Sequence, residues 1–273
     1  MEVPRTATGN ASLAKANRLL LAFSDDEPEL GVMDLVRRVG LNKSTVSRFA
    51  SSLHQLGLLE RTDNGKKYRL ALRMFELGTL AARQRPIFAH AERLLEPLAE
   101  NLGATAALAV LVDREVVFVD KAEGRPRSPI VLGRRYPATC CAAGKAILAT
   151  LEPAQIDAFL TSPLPQSTEH SLATPEALLE QLAASRPDGV AVDQQELFAS
   201  QCAVAVAVLD RGGRAVGALT VTGPSGRVSE ASLPAISLAL RRAAADVSRR
   251  LGYRLPRALS AAPPLRRPAA TVA

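Results

Sequence analysis

One segment, residues 32–57, limits most strongly what this chain can fold into. Apolar residues recur at helical spacing in two successive stretches, and Gly40 stands between them. The second stretch, 41–57, has Asn42 as a candidate N-cap and Gly57 as a candidate C-terminal stop. This order is the pattern of a helix-turn-helix: a helix, a tight turn that contains glycine, and a second helix.

The second predicted helix has a polar face made of short hydrogen-bonding side chains and cations. A recognition helix needs such a face, because it buries its other side in its own domain and inserts its polar side into the major groove. The candidate DNA contacts on this helix are Asn42, Lys43, Ser44, Thr45, Ser47 and Arg48. Taken alone, the same pattern would also suit an ordinary amphipathic surface helix.

A predicted β-hairpin follows this helix directly. Two strand-like runs, 58–61 and 67–70, are joined by residues 62–65, which end in Asn-Gly, a strong hairpin-turn signal. A hairpin in this position is typical of the wing of a winged helix. The candidate DNA contacts of the wing are Lys66, Lys67 and Arg69. The sequence therefore predicts a winged helix-turn-helix domain that binds double-stranded DNA.

Composition excludes several other classes of protein. With 273 residues, of which 47% are hydrophobic, the chain can bury cores of ordinary size. We expect a cytoplasmic protein with no membrane association, because no apolar run could span a bilayer and residues 1–12 contain no stretch of signal-peptide type. The formal net charge of +7 comes mainly from six arginines after Asp246, so the overall charge is no argument for DNA binding.

The remainder of the chain predicts an α+β domain behind a linker helix. Hairpins are predicted at 104–121 and 203–222, a further strand at 128–132, and a helix from Cys140 to Leu151. The predicted division is a disordered leader (1–11), a winged helix-turn-helix domain (12–72), a linker helix (73–86), a second domain (87–253) and a disordered tail (254–273).

The second domain contains no glycine-rich nucleotide loop, no Gly-x-Ser-x-Gly and no cluster of metal ligands. We therefore predict no catalytic residue, no metal and no cofactor. Three alternatives remain open. Cys140 or Cys141 could be the nucleophile of an enzyme acting on a small acid, since a thiolate at a helix N-terminus is activated. The same two thiols could form a redox or metal sensor, or the protein could package DNA without sequence preference.

The whole layout, from about Ser12 to Tyr253, resembles the IclR family of bacterial transcriptional regulators. The segments that carry the resemblance are SLAKANRLLLAF, LNKSTVSRFASSLHQLGLLER, YRLALRMFELG, LGRRYPATCCAAGKAILA, GVAVDQQE and VAVLDRGGRAVGALTVTGP. The resemblance implies a C-terminal GAF/profilin-like effector-binding domain. It also implies a small-molecule effector, often an organic or aromatic acid, and a homodimer or dimer of dimers on operator DNA.

The resemblance further implies where the effector binds. The expected effector-binding residues are Cys140, Cys141, Ala142, Ala143, Gly144, Asp193, Ala203, Thr220 and Thr222. A carboxylate would meet backbone N–H groups at a helix start, and the two threonines would donate to its other oxygen. The chain departs from the family pattern at Ala203, where cysteine is common, and near Thr139, where histidine is common. The competing interpretation is structural, with the cysteines in the core, the aspartate capping a turn and the threonines as strand residues.

Overall fold

The computed structural model describes residues 11–24, 26–160 and 163–254. They divide into two units, with the boundary between Gln84 and Arg85. Of the predicted leader, 1–11, the structure describes Ala11, and of the predicted tail, 254–273, it describes Arg254. The other residues of these two segments lie outside the described residues. The first residue of α1, Ala11, belongs to that predicted leader and is helical.

The first unit is built on three helices, and their caps follow from the sequence. The helices are α1 (Ala11–Leu20), α2 (Val32–Val39) and α3 (Lys43–Gln55). The side chain of Asn42 accepts a hydrogen bond from the N–H of Thr45 at 2.8 Å and so caps α3. Gly40 ends α2 with φ of +63°, a left-handed conformation that glycine adopts without the steric cost of a Cβ. The predicted helix-turn-helix is confirmed.

A three-stranded sheet and a fourth helix complete this unit. Its elements are β1 (Leu30–Gly31), β2 (Leu59–Arg61), β3 (Lys67–Leu70) and α4 (Leu72–Arg83). Leu59 lies opposite Leu70, which confirms the hairpin of the wing. The sequence did not predict β1, because two residues show no alternation; Leu30 pairs with Tyr68 on β3. Leu19, Leu35 and Val46 are fully buried beneath these elements.

The second unit is a six-stranded antiparallel sheet with helices on both faces. The strands are β4 (Thr105–Val112), β5 (Glu115–Ala122), β6 (Arg135–Pro137), β7 (Val190–Gln194), β8 (Gln201–Leu209) and β9 (Ala215–Pro224), in the order β6-β5-β4-β9-β8-β7. The helices are α5 (Pro86–Leu102), α6 (Ala142–Leu148), α7 (Pro153–Ile156), α8 (Pro175–Ser185) and α9 (Leu233–Arg250). Across the described ranges, no helix has the length and apolar character needed to cross a membrane.

The alternation of side chains along the strands makes two cores. Ala107 and Ala109 of β4 pack in the core on the side of α6 and α8. Ala106 and Leu108, their neighbours along the strand, pack in the core shared with α5 and α9. This layered arrangement of an antiparallel sheet and helices confirms the predicted α+β class.

Two predictions for the second unit are corrected by the structure. The strand predicted at 128–132 is wrong: Pro129 has no N–H for a ladder, and the segment is a loop that buries Ile130. Strand β6 occupies the sheet edge instead and pairs with β5. The helix predicted from Cys140 is shorter, because residues 138–140 form a 3-10 turn and Cys141 is the N-cap of α6.

Candidate functional site

The polar face of α3 is accessible, as a recognition helix requires. The helix buries Val46, Ala50 and Leu53 against its own unit. On its other side the predicted contacts Asn42, Lys43, Ser44, Ser47 and Arg48 are exposed, and Thr45 is half-buried. The guanidinium of Arg48 lies 5.6 Å from the ring centre of Phe49, so its aliphatic stem is supported while its charge stays in solvent. The surface therefore offers short hydrogen-bonding groups and cations together.

The basic residues of the wing differ in how much free charge they offer. Lys66 and Lys67 are exposed, and neither forms an ion pair among the described residues. Arg69 is held by Glu60, with Nε 2.5 Å from Oε1, and lies 4.0 Å from a carboxylate oxygen of Glu29. The hydrogen bond that Arg69 donates to Glu60 raises the pKa of Arg69. We conclude that the two lysines carry most of the net positive charge at the tip of the wing.

A cavity in the second unit collects most of the predicted effector residues. It lies between the sheet and the start of α6, and its free volume is about 10 Å³, or about 250 Å³ when the open space at its mouth is included. Seven of the nine predicted residues line it: Cys141, Ala142, Ala143, Asp193, Ala203, Thr220 and Thr222. Segments that are far apart in the sequence are thus brought to one place by the antiparallel sheet.

The other two predicted effector residues do not line the cavity. The Sγ of Cys140 donates to the carbonyl of Pro165 at 3.0 Å. Gly144 packs against the preceding 3-10 turn so closely that a Cβ would lie 2.1 Å from the carbonyl oxygen of Ala138. Its N–H donates to the Sγ of Cys141 at 3.4 Å. In this structure Cys140 and Gly144 hold α6 in position.

Apolar residues that the sequence analysis did not select form the rest of the lining. They are Phe118, Ile130, Leu197 and Phe198. Tyr136 packs edge-on against both phenylalanines, with ring centres 5.6 Å and 5.8 Å away. The inward position of Phe118 on β5 follows from strand alternation, but no periodic signal marks Phe198, which lies in the turn after β7. One wall of the cavity is therefore aromatic.

The hydroxyl groups of the two threonines are already engaged as donors. Thr220 Oγ1 lies 3.0 Å from the carbonyl oxygen of Val204, and Thr222 Oγ1 lies 3.3 Å from that of Cys202. A carbonyl oxygen can only accept, so the threonines supply the protons of these bonds. To donate to a ligand, as the sequence analysis expects, the threonines would have to give up these bonds; while the bonds remain, they offer a ligand acceptor capacity.

Asp193 is the acidic group of the cavity. Its side chain is 3% exposed, and Oδ1 accepts hydrogen bonds from the N–H groups of Glu196 at 2.6 Å and Leu197 at 3.4 Å. Burial, and then the nearby charge of Glu196, raise the pKa of Asp193 to about 7. Asp193 therefore both caps the turn after β7 and lines the cavity.

A buried ion pair lies directly behind this turn. The Nζ of Lys145 on α6 is 2.6 Å from both carboxylate oxygens of Glu196 and 2.6 Å from Oε1 of Gln181 on α8. Lys145 and Glu196 are 1% and 2% exposed at their side chains. The sequence analysis missed this pair, although a lysine inside an apolar helical run was a signal that it needs a buried partner.

The structure gives no support to the alternatives built on the adjacent cysteines. Burial raises the pKa of Cys141 to about 12, so its side chain is a thiol at neutral pH. Cys140 is buried as well. Over the part of the chain that the structure describes, no three His, Cys, Asp or Glu side chains are grouped so that they could hold a metal ion.

Comparison with known proteins assigns both units to one family. Residues 12–63 match the IclR helix-turn-helix domain, and residues 79–249 match the bacterial transcriptional regulator IclR C-terminal domain. The HTH-type transcriptional regulator XynR of Escherichia coli (strain K12) is 31% identical over 245 residues, which cover 89% of this chain and 97% of XynR. The HTH-type transcriptional regulator KdgR of the same strain is 30% identical over 246 residues, covering 89% of this chain and 93% of KdgR.

Solved structures agree with the sequence comparison. An IclR transcriptional regulator from Alicyclobacillus acidocaldarius superposes with a TM-score of 0.80 at 26% identity, covering 89% of this chain and 100% of that one. An IclR homologue from Microbacterium hydrocarbonoxydans, crystallised with 4-hydroxybenzoate, gives 0.78 at 27% identity and covers 88% of this chain and 98% of that one. The chain belongs to the IclR family and is a ligand-responsive, DNA-binding transcriptional regulator.

Proposed function

We propose that this regulator binds a small organic acid, preferably one with an aromatic body, in the cavity beside α6, and that this ligand changes its affinity for an operator. The observation that carries the proposal is the convergence of Cys141, Asp193 and Thr220, from three distant segments, on one cavity with an aromatic wall. The free space between the lining side chains is about 10 Å³, roughly the room for one water molecule, so a ligand of the usual size must move the lining apart.

Two features support an aromatic or other flat acid as the ligand class. Phe118 and Phe198 offer ring faces or edges for packing against a flat apolar body. The N–H groups of Ala142 and Ala143, in the first turn of α6, are donors for which a carboxylate is a suitable acceptor. A related regulator was crystallised with 4-hydroxybenzoate, which belongs to this class.

For DNA, we assign base contacts to α3 and phosphate contacts to the wing. Ser44, Ser47 and Arg48 are exposed on the face of α3 that is not buried, and short polar side chains with an arginine suit base edges in the major groove. Lys66 and Lys67 carry exposed charge that suits backbone phosphates. The proposed contacts of α3 also include Asn42, Lys43 and Thr45. Arg69 completes the proposed contacts of the wing, and Glu60 partly neutralises its charge.

A homodimer or a dimer of dimers is the proposed assembly. On α4 four large apolar side chains are exposed: Leu72, Phe75, Leu77 and Leu80. Adjacent apolar side chains on one exposed helix are typical of an interaction surface. A second copy of the chain is the natural partner, because a two-fold dimer presents two recognition helices to a palindromic operator.

We propose further that the protein has no catalytic activity and acts in the cytoplasm, where operator DNA is accessible. The relatives in the comparison are transcriptional regulators, and the buried, protonated thiol of Cys141 is a poor nucleophile.

Enrichment of bound duplexes from a random pool would identify the operator.

Operator binding by Arg48→Ala tests the assigned contacts. If Arg48 pairs with a guanine edge, the variant should lose about 1–3 kcal/mol on the enriched operator and much less on a scrambled duplex. Arg249→Ala is the control, because it removes the same charge from an exposed position of α9 in the other unit. Unchanged affinity of Arg48→Ala for the operator would remove Arg48 from the base-contacting set.

A further inference from the structure

The hydrogen bonds within the cavity decide which polar groups remain available to a ligand. The proton of Thr220 is donated to Val204, and the proton of Thr222 to Cys202. Each hydroxyl oxygen keeps lone pairs that can only accept. Asp193 uses Oδ1 to accept from two backbone N–H groups, and within the described ranges its Oδ2 makes no hydrogen bond. When Asp193 is ionised, these three side chains of the sheet thus offer acceptors rather than donors.

The register of the sheet sets these acceptors around a gap. Asp193 on β7 is opposite Ala203 on β8, and Ala203 is opposite Thr222 on β9. Residues directly opposite each other point to the same face, so the three form a row across neighbouring strands. Two strand spacings separate the ends of the row by about 10 Å. Between them Ala203 contributes only a methyl group, so the strand places no bulky side chain between the carboxylate and the hydroxyl.

We propose that the effector carries a hydroxyl or amino group that donates to the acceptors of this part of the sheet. These acceptors, here called the acceptor row, are the two ends of the row, Asp193 and Thr222, together with Thr220, which lies two residues before Thr222 on β9 and points to the same face. The inference rests on the proposed effector cavity and specifies which end of the ligand faces the sheet. A second carboxylate at this end would meet only lone pairs and the negative charge of the ionised Asp193, so it would be rejected. A methyl ether of the same shape would leave the buried acceptors unpaired.

The charges around Asp193 agree with a neutral or cationic donor. On the side of α6, Lys145 is committed to Glu196 within the turn that Asp193 caps, so the pair contributes little net charge. The other titratable groups that face it are the thiols of Cys141 on α6 and Cys202 on β8, and burial raises the pKa of both. Because the pKa of Asp193 is about 7, a donor ligand that prefers its ionised form should bind more tightly as the pH rises through neutrality.

Two matched sets of compounds test the inference on the full-length protein by calorimetric titration. One set is 4-hydroxybenzoate, 4-methoxybenzoate and benzene-1,4-dicarboxylate, and the other is 3-hydroxypropanoate, 3-methoxypropanoate and succinate. In at least one set the hydroxyl compound should bind about tenfold or more tightly than its methyl ether and its dicarboxylate. Its affinity should also rise between about pH 6 and about pH 8, where the phenol or alcohol stays neutral.

Asp193→Asn gives a result that a merely structural residue would not give. The amide oxygen can keep the two backbone hydrogen bonds of Oδ1, while the amide NH₂ turns a donor towards the cavity. The variant should therefore lose affinity for the hydroxyl compound and gain affinity for the dicarboxylate of the same set. Thr220→Val should weaken the hydroxyl compound about tenfold. Thr139→Val is its matched control, because Thr139 is buried, lines no part of the cavity and has a hydroxyl without a partner among the described residues.

The outcomes separate this inference from the function on which it rests. Equal or tighter binding of the ether or the dicarboxylate to the wild type would overturn the acceptor row and leave an effector cavity in place. Equal effects of Thr220→Val and Thr139→Val would also overturn it. If no compound of either set binds, the inference fails, and operator binding by the same preparation shows whether the DNA-binding function stands without it.

Discussion

The ionisable groups whose burial costs the most free energy are Asp193 and the ion pair of Lys145 with Glu196. Each is almost completely buried, and ionised groups are rarely buried unless they are paired. Glu196 joins them: its side chain holds Lys145 and its backbone N–H is held by Asp193. Its carbonyl accepts from Ser171 at 2.6 Å, which ties the loop after α7 to the same point. Asp193 is thus connected to α6 through two hydrogen bonds and to α8 through a third.

The pKa of Asp193 makes the stability of the fold depend on pH. The folded pKa, about 7, is above the reference value of 3.8, so the protonated side chain favours the folded state. This contribution is complete below about pH 4 and is lost as the pH rises through 7. Asp193→Asn lacks the titration, so between about pH 5 and about pH 8 its stability relative to the wild type should rise by roughly 1–4 kcal/mol. Urea unfolding at several pH values measures the difference, and parallel pH profiles would contradict the raised pKa.

Breaking the buried ion pair should be costly because it leaves one charge unpaired. Glu196→Gln should reduce the free energy of unfolding by about 3–5 kcal/mol. Asp246→Asn is the control: it breaks the exposed pairs with Arg249 and Arg250 and should cost less than about 1 kcal/mol. The double variant Lys145→Met with Glu196→Leu removes both charges and should recover part of the loss. A cost of Glu196→Gln no larger than that of Asp246→Asn would mean that the pair is solvated.

At the scale of elements, the sequence predicts what local periodicity and capping determine. Helix α3 follows from its apolar spacing and from Asn42, and the wing follows from its Asn-Gly turn. Strands β1 and β6 are too short to show alternation, and their existence depends on partners elsewhere in the chain. The small and polar residues of the cavity lining were predicted, because they lie in the segments that resemble the family. Its apolar residues were not. The pairing of Lys145 with Glu196, 51 residues apart, depends on tertiary packing that no local pattern reveals.

The wing should add affinity for DNA without adding much specificity. Replacing Lys66 and Lys67 by alanine should weaken binding to all duplexes similarly, because phosphates are the same in every sequence. The slope of log affinity against log salt should fall by up to about two units. Arg69→Ala is the comparison and should change the slope less, because Glu60 already neutralises that guanidinium. A loss confined to one operator base pair would show that the wing contacts bases.

At the scale of the whole molecule, two units with separate cores carry the two halves of the function. The winged helix and the effector domain each match the family, and relatives align along 89% of the chain. The last helix of the first unit, α4, has exposed apolar residues that we assign to self-association. Two copies are needed because a single recognition helix contacts only half of a palindromic operator.

A charge placed on α4 should weaken that assembly. Phe75→Glu puts an ionised carboxylate on an exposed apolar helix, and burying it in an interface would be unfavourable. We expect the dissociation constant of the dimer, measured by sedimentation, to rise by about tenfold or more. Arg83→Glu changes the charge of the same helix outside the apolar residues and should have a smaller effect. Identical sedimentation of wild type and Phe75→Glu at all concentrations would exclude this helix from the interface.

We expect occupation of the cavity and binding of the operator to be coupled. The most direct measurement is the affinity of the full-length protein for its enriched operator, with and without a saturating compound that binds in calorimetry. We predict a change of about fivefold or more, corresponding to a coupling free energy of about 1–3 kcal/mol. Ala203→Val fills the gap in the acceptor row and should abolish this response. An operator affinity that is the same with and without a bound ligand would contradict the account.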